Sequence, residues 1–96
     1  MERVFEWDPV KAARNLKKHG IGFGEAVFVF DDPLSISEQD RVEDGEERWK
    51  TIGEVGGCLL LLVAHTVHLE EEDIEVVRII SARRADKNER RRYENG

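Results

Sequence analysis

Cys58 is the only cysteine in the chain, so no internal disulfide can form, and a reducing compartment suits the protein best. It heads the apolar run "CLLLLVA", residues 58–64, which predicts a buried thiol packing as a small hydrophobe rather than an exposed nucleophile. That run is the longest apolar stretch and is far too short to span a bilayer. The opening "MERVFEWDPV" contains no apolar signal-peptide core, and the expectation is a soluble, cytoplasmic protein. Repeats, linkers and low-complexity segments are lacking too. With 96 residues there is enough chain for one modest core but not two, so residues 1–96 read as a single domain.

Recognisable catalytic punctuation is equally scarce. There is no phosphate-binding glycine loop, no zinc-ligand spacing and no nucleophilic triad, and "GFG" at 22–24 is too short to hold a nucleotide. His65 and His68 lie an odd number of residues apart, so in a regular strand they face opposite sides and make a poor metal pair. No metal and no cofactor are expected.

Positive charge is also in deficit, with a formal net charge of -6, but the deficit is uneven. Residues 1–20 carry five bases and three acids, residues 21–75 three bases and fifteen acids, and residues 76–96 seven bases and three acids. A fold that joins the two ends would present a cationic face on an acidic protein, and a polyanion responds to that local potential more than to net charge.

What is present is strong local patterning. "RVFEW" (3–7) alternates as a short strand does. In "DPVKAARNLKKHG", Asp8 can cap, Pro9 suits the first helical position and Gly20 can end the helix, which predicts a helix over 9–19. Val10, Ala13 and Leu16 recur every third residue and are read as its inner face, with Lys11, Arg14, Lys17 and Lys18 outside. "GEAVFVF" (24–30) reads as a second short helix ending at "DDP", although its composition would also suit a strand. "LSISEQ" (34–39) and "RWKTIGEV" (48–55) form a hairpin across an exposed turn "RVEDGEE", and Gly56–Gly57 turns the chain into "CLLLLVAHTVH", a central strand. "LEEED" is a solvated turn before the last strand, "IEVVRIIS" (74–81), and Asp86 with Glu89 makes a capping-box pair for a final helix over about 87–94. The fold class is α+β: a short N-terminal strand and two helices packed on a four-stranded antiparallel sheet, with a C-terminal helix.

In this order, "FEWDPVKAARNLKKHGIGFGEAVFVFDDP", "EERWKTIG" and "RIISARRADKNERRRY" resemble the BrnT family of ribonuclease toxins from type II toxin–antitoxin pairs, and the resemblance covers nearly the whole chain. It implies a RelE-like fold and a metal-independent endoribonuclease that inhibits translation. It also implies neutralisation by a BrnA-like ribbon-helix-helix antitoxin, which would carry the hetero-oligomer onto operator DNA.

Metal-free RNA cleavage needs a group that deprotonates the 2′-hydroxyl, cations that stabilise the phosphorane and a donor for the leaving oxygen. Arginine suits the second role, because its planar fork matches phosphate oxygens and keeps its charge. With the resemblance, the catalytic candidates are Arg83, His68, His19, Glu47 and Arg78, and the RNA-binding candidates are Lys18, Arg48, Arg84 and Arg90. Arg83, where the last strand ends, is read first as a phosphate clamp. Arg78 divides evenly between catalysis and a structural pairing with Glu75 or Glu47. Lys18 and His19 either line the RNA groove or complement the negative end of the first helix. Arg90, Arg91 and Arg92 are charges on an exposed helix, with Tyr93 packed back on the sheet.

Two departures from the family pattern bear on activity. His68 stands where the family often has arginine in T-x-R, and "DRVEDGEER" lacks the histidine often found in that loop. They support an alternative reading: a catalytically weakened protein of this fold that acts mainly as a binding partner in a DNA-binding repressor complex.

Overall fold

The structure, a computed structural model, describes residues 2–71 and 73–96. Glu72, within the "LEEED" turn, lies outside the described residues. The chain runs β1 (Glu2–Glu6), α1 (Pro9–His19), α2 (Phe23–Ala26), a 3₁₀ turn (Val27–Asp31), β2 (Ile36–Glu43), β3 (Glu46–Val55), β4 (Leu59–Glu71), β5 (Ile74–Arg84) and α3 (Lys87–Asn95). The strands form one sheet in the order β1-β5-β4-β3-β2. Four of them make the antiparallel meander expected from the sequence, and β1 adds a fifth, pairing parallel with β5 from Glu2–Ile74 to Glu6–Arg78. This joins the two basic ends of the chain. No helix among the described residues is long and apolar enough to cross a membrane.

Local chemistry explains the boundaries. The Asp8 carboxylate accepts hydrogen bonds from the Val10 and Lys11 amides at the head of α1, and Gly20, at φ 73°, closes it by donating to the Leu16 carbonyl. The β2–β3 turn is only Asp44–Gly45, both with positive φ, so the strands extend into what reads in sequence as a longer turn. Cys58 belongs to the turn before β4 and is exposed, not buried as its apolar context suggests. Gly56 and Gly57, both in the left-handed region, leave Cys58 as the third turn residue, and strand pairing starts at Leu59.

Helix α1 buries a different face from the one its apolar spacing suggests. Val10 and Leu16 are 58% and 54% exposed, while Ala12 and Asn15 face the sheet. The reason lies at β5, whose edge is free once β1 ends. Asn15 Nδ2 donates to the carbonyls of Ala82 (2.8 Å) and Ile21 (3.0 Å), and its Oδ1 accepts from the Ala82 N–H (3.1 Å). One side-chain amide thereby stands in for the missing strand, since buried backbone groups must be paired.

Two cores sandwich the sheet. Ile21, Phe23, Ala26 and Val29 pack on Leu61, Val63, Val77, Ile79 and Ala82 beneath α1 and α2. Gly53 allows the 3₁₀ turn to approach, since a Cβ there would lie 2.8 Å from the Val29 carbonyl oxygen. On the opposite face Ile52, Leu60 and Leu62 are covered by Ala85 and Tyr93, so α3 shields one end of that face and leaves the other open. Tyr93 also donates to Asp32 Oδ2 (2.6 Å), an oxygen shared with the Glu54 amide.

Candidate nucleic-acid interface

Strand alternation gathers cations on the open part of the α3 face. One row runs across all five strands. Glu6 is in register with Arg78, Arg78 with Thr66, and Arg41 with Arg48, while Thr66 and Arg48 are the residues next to the Trp49–His65 pair. The adjacent row holds Ser81, Ala64, Lys50 and Glu38, and the one after it Arg83, Leu62 and Ile52 at the margin of α3. His68 lies one row outward, in register with Val76. Paired strands are roughly 4.8 Å apart, so the backbone carrying Arg78 lies beside Thr66, and Arg48 stands on the other side of Thr66 just past the last β3–β4 pair, which puts both arginine side chains within reach of one phosphate group.

The residues in this row differ in how they are occupied. Arg41 and Arg48 approach Glu43 at 3.0 and 3.8 Å and Lys50 approaches Asp40 at 3.6 Å, surface contacts of small energetic weight. Arg78 makes no salt bridge among the described residues. Glu75, one of its expected partners, is bonded instead to Arg3 at 2.6 Å. Arg48 Nε and Thr66 Oγ1 are the buried side-chain polar atoms without a hydrogen-bond partner among the described residues, and Thr66 is only 2% exposed. Buried groups left unpaired each cost about 1–3 kcal/mol, and such sites commonly await a ligand or carry function.

Arg83 is placed less simply than its motif suggests. Its Nη1 and Nη2 donate to Glu89 Oε1 (2.8 Å) and Oε2 (2.9 Å), a bidentate pair, and Glu89 also accepts from the Asp86 amide in the capping box of α3. The Arg83 fork pulls the Glu89 carboxyl below its usual range, outweighing the upward push of partial burial. The phosphate clamp inferred from "SAR" is thus engaged with a carboxylate of the same chain.

The remaining candidates scatter. Glu47 pairs with Val42 and by alternation sits on the face opposite Arg48, so it joins neither the cation row nor Arg78; a two-residue period separates neighbours in sequence. Arg84 likewise falls on the face opposite Arg83, and Arg90 is exposed on α3. Lys18 and His19 stand at the end of α1, where with Lys11, Arg14, Asn15, Ile80 and Ser81 they line a pocket of about 280 Å³. They meet the open face only at Ser81, around the β5 edge. Another pocket, about 450 Å³, is lined by Asp31, Asp32 and Glu54 without a cation and is unsuited to a polyanion.

The two strand histidines do face opposite sides. His65 is buried under Phe30, whose ring meets it edge to face at 4.9 Å, and its Nε2 shares a hydrogen bond with Thr51 Oγ1 at 2.7 Å. Burial pushes its pKa down to about 4, which keeps it neutral and structural. His68 is exposed, with Nε2 3.3 Å from Glu70. Sequence reasoning passed over Asn15, Lys50 and Thr66. Thr66 carried a signal, since it shares the alternating strand face of His68 and Arg78.

The family model described as the ribonuclease toxin BrnT of type II toxin–antitoxin systems matches residues 7–89. The structure is similar to the crystal structure of the Brucella abortus ribonuclease toxin BrnT, with a TM-score of 0.61 and 22% sequence identity, covering 91% of this chain and 100% of that one. At that identity the likeness is one of fold. No curated protein sequence matches.

Proposed function

Because the chain belongs to the family of BrnT ribonuclease toxins of type II toxin–antitoxin systems, we propose that it is a metal-independent endoribonuclease whose substrate lies across the open face of the sheet. The observation that carries this reading is the Arg48–Thr66–Arg78 row, with its two orphaned buried polar atoms. Arg48 and Arg78 neutralise the scissile phosphate and the charge that develops on the phosphorane, and the Thr66 hydroxyl donates to a phosphate oxygen. His68, one row outward, is the imidazole on this face and moves the proton of the 2′-hydroxyl or the leaving oxygen. Lys18 and His19, with Lys11 and Arg14, extend the cationic track around the β5 edge and hold flanking phosphates, as do Arg83 and Arg90 at the α3 side. The cognate partner is a BrnA-like ribbon-helix-helix antitoxin that binds operator DNA and holds the toxin inactive.

A second reading is favoured by the Arg83–Glu89 pair and by Glu47 lying on the wrong face to act as a base. In it the protein is a weakened nuclease that serves chiefly as the antitoxin's partner in a repressor complex. Expression of the chain alone separates the two. Growth arrest with RNA fragmentation, lost by about 10²–10³-fold in rate on Arg78→Ala, supports the nuclease. Normal growth at high soluble expression would leave the repressor reading in its place.

A further inference from the structure

The β3–β4 ladder stops at the Trp49–His65 pair, yet neither strand stops there. Glu46–Arg48 of β3 remain paired to β2, and β4 continues to Glu71 paired to β5. Beyond Trp49 and His65 the two hairpins are therefore unpaired to each other among the described residues, and the sheet ends in a fork. Along β4, Thr66–Glu71 alternately direct backbone N–H and C=O groups into the fork, a run as long as an ordinary strand. An unpaired strand edge of this kind is a template for another strand.

Three further features bear on what the fork accepts. Val67 and Leu69, two apart and so on one side of β4, are exposed, Leu69 by 62%, and Val42 is exposed on the facing arm. The arms are strongly acidic: residues 40–48 and 66–75 together hold ten acids against two arginines. At the base of the fork stand the orphaned Arg48 Nε and the buried, unpartnered Thr66 Oγ1. Acidic arms attract a cationic chain, and a free edge with apolar neighbours takes a peptide in extended form.

We infer that the fork is the docking slot for an extended segment of a protein partner, in which lysine or arginine alternates with branched apolar residues and which adds to the β4 edge as an extra strand. Its main chain pairs with Thr66–Glu71, its apolar side chains cover Val67 and Leu69, and its cations meet the carboxylates of both arms. The inference rests on the partner half of the reading above and is independent of RNA cleavage. Because Thr66 belongs to both the fork and the arginine row, a strand seated there excludes RNA, which makes the slot a direct route to neutralisation.

The test uses the full chain and a fluorescein-labelled peptide, acetyl-Lys-Val-Arg-Val-Lys-Val-Arg-amide, titrated by fluorescence anisotropy. Saturable binding is expected, weakened at least about tenfold by Leu69→Ser, which removes the apolar contact without adding charge at a position 62% exposed. Two forms of the peptide N-methylated on alternate sets of amides separate strand pairing from simple charge attraction: one set should abolish binding and the other leave it within about twofold. Hydrogen exchange should slow at residues 66–71 on binding. No saturable binding up to about 1 mM, equal loss from both methylated sets, or an unaffected Leu69→Ser variant would overturn the inference. RNA cleavage measured on the same preparation reports separately, so a protein that binds peptide without cutting RNA refutes the nuclease and not the slot.

Discussion

Asn15 and Ala82, 67 residues apart in the chain, exchange two hydrogen bonds: the Asn15 amide donates to the Ala82 carbonyl at 2.8 Å and accepts from its N–H at 3.1 Å. This single side chain seals the β5 edge where β1 ends and fixes α1, with Lys18 and His19, against the sheet. Asn15→Ala should destabilise the protein by about 2–4 kcal/mol, because two Ala82 groups and the Ile21 carbonyl lose a buried partner. A fall in the urea midpoint at unchanged slope is the expected record, and Asn15→Asp, which sets a carboxylate oxygen against two carbonyls in a buried site, should fall at least as far.

Thr66 predicts a split between stability and activity. Its hydroxyl is buried without a partner among the described residues, so Thr66→Val, nearly the same shape, should hold stability level or raise it by up to about 1 kcal/mol. If the hydroxyl serves a phosphate, RNA cleavage should drop by about tenfold or more in the same variant. Thermal melts and a single-turnover cleavage assay read the two effects separately; unchanged cleavage would remove Thr66 from the site.

His65 should make the protein acid-sensitive in a definite window. Its folded-state pKa is near 4 against 6.5 for an ordinary histidine, so between those values the unfolded chain binds a proton that the folded chain does not. Stability is therefore complete above about pH 6.5 and declines as the pH falls toward 4, by on the order of 3 kcal/mol. Denaturant midpoints across this range should flatten in His65→Gln, which has no proton to gain.

Glu89 holds the Arg83 fork and closes the capping box of α3. Glu89→Gln keeps a side-chain oxygen for the Asp86 amide but removes the charge. If Arg83 contributes to RNA binding, freeing it should tighten affinity several-fold at low salt and steepen the salt dependence, at a cost of about 1 kcal/mol in stability. Filter binding across a salt series checks this, and unchanged affinity would confine Arg83 to a structural role.

The sequence by itself determined whatever depends on near neighbours. The Asp8 and Asp86 caps, the Gly20 stop, the Gly56–Gly57 turn and the opposed faces of His65 and His68 follow from backbone preference and strand period, and the structure repeats them. The motif order that marks the family was legible for the same reason. Only the tertiary structure decided which face of α1 turns inward, because Asn15 answers a free edge at Ala82 that no local pattern announces. Tertiary structure likewise occupied Arg83 with Glu89 and brought Arg48, Thr66 and Arg78 from three strands into one row. Those outcomes depend on strand register and on where pairing stops, and register is a relation between distant segments whose backbone groups must all find partners.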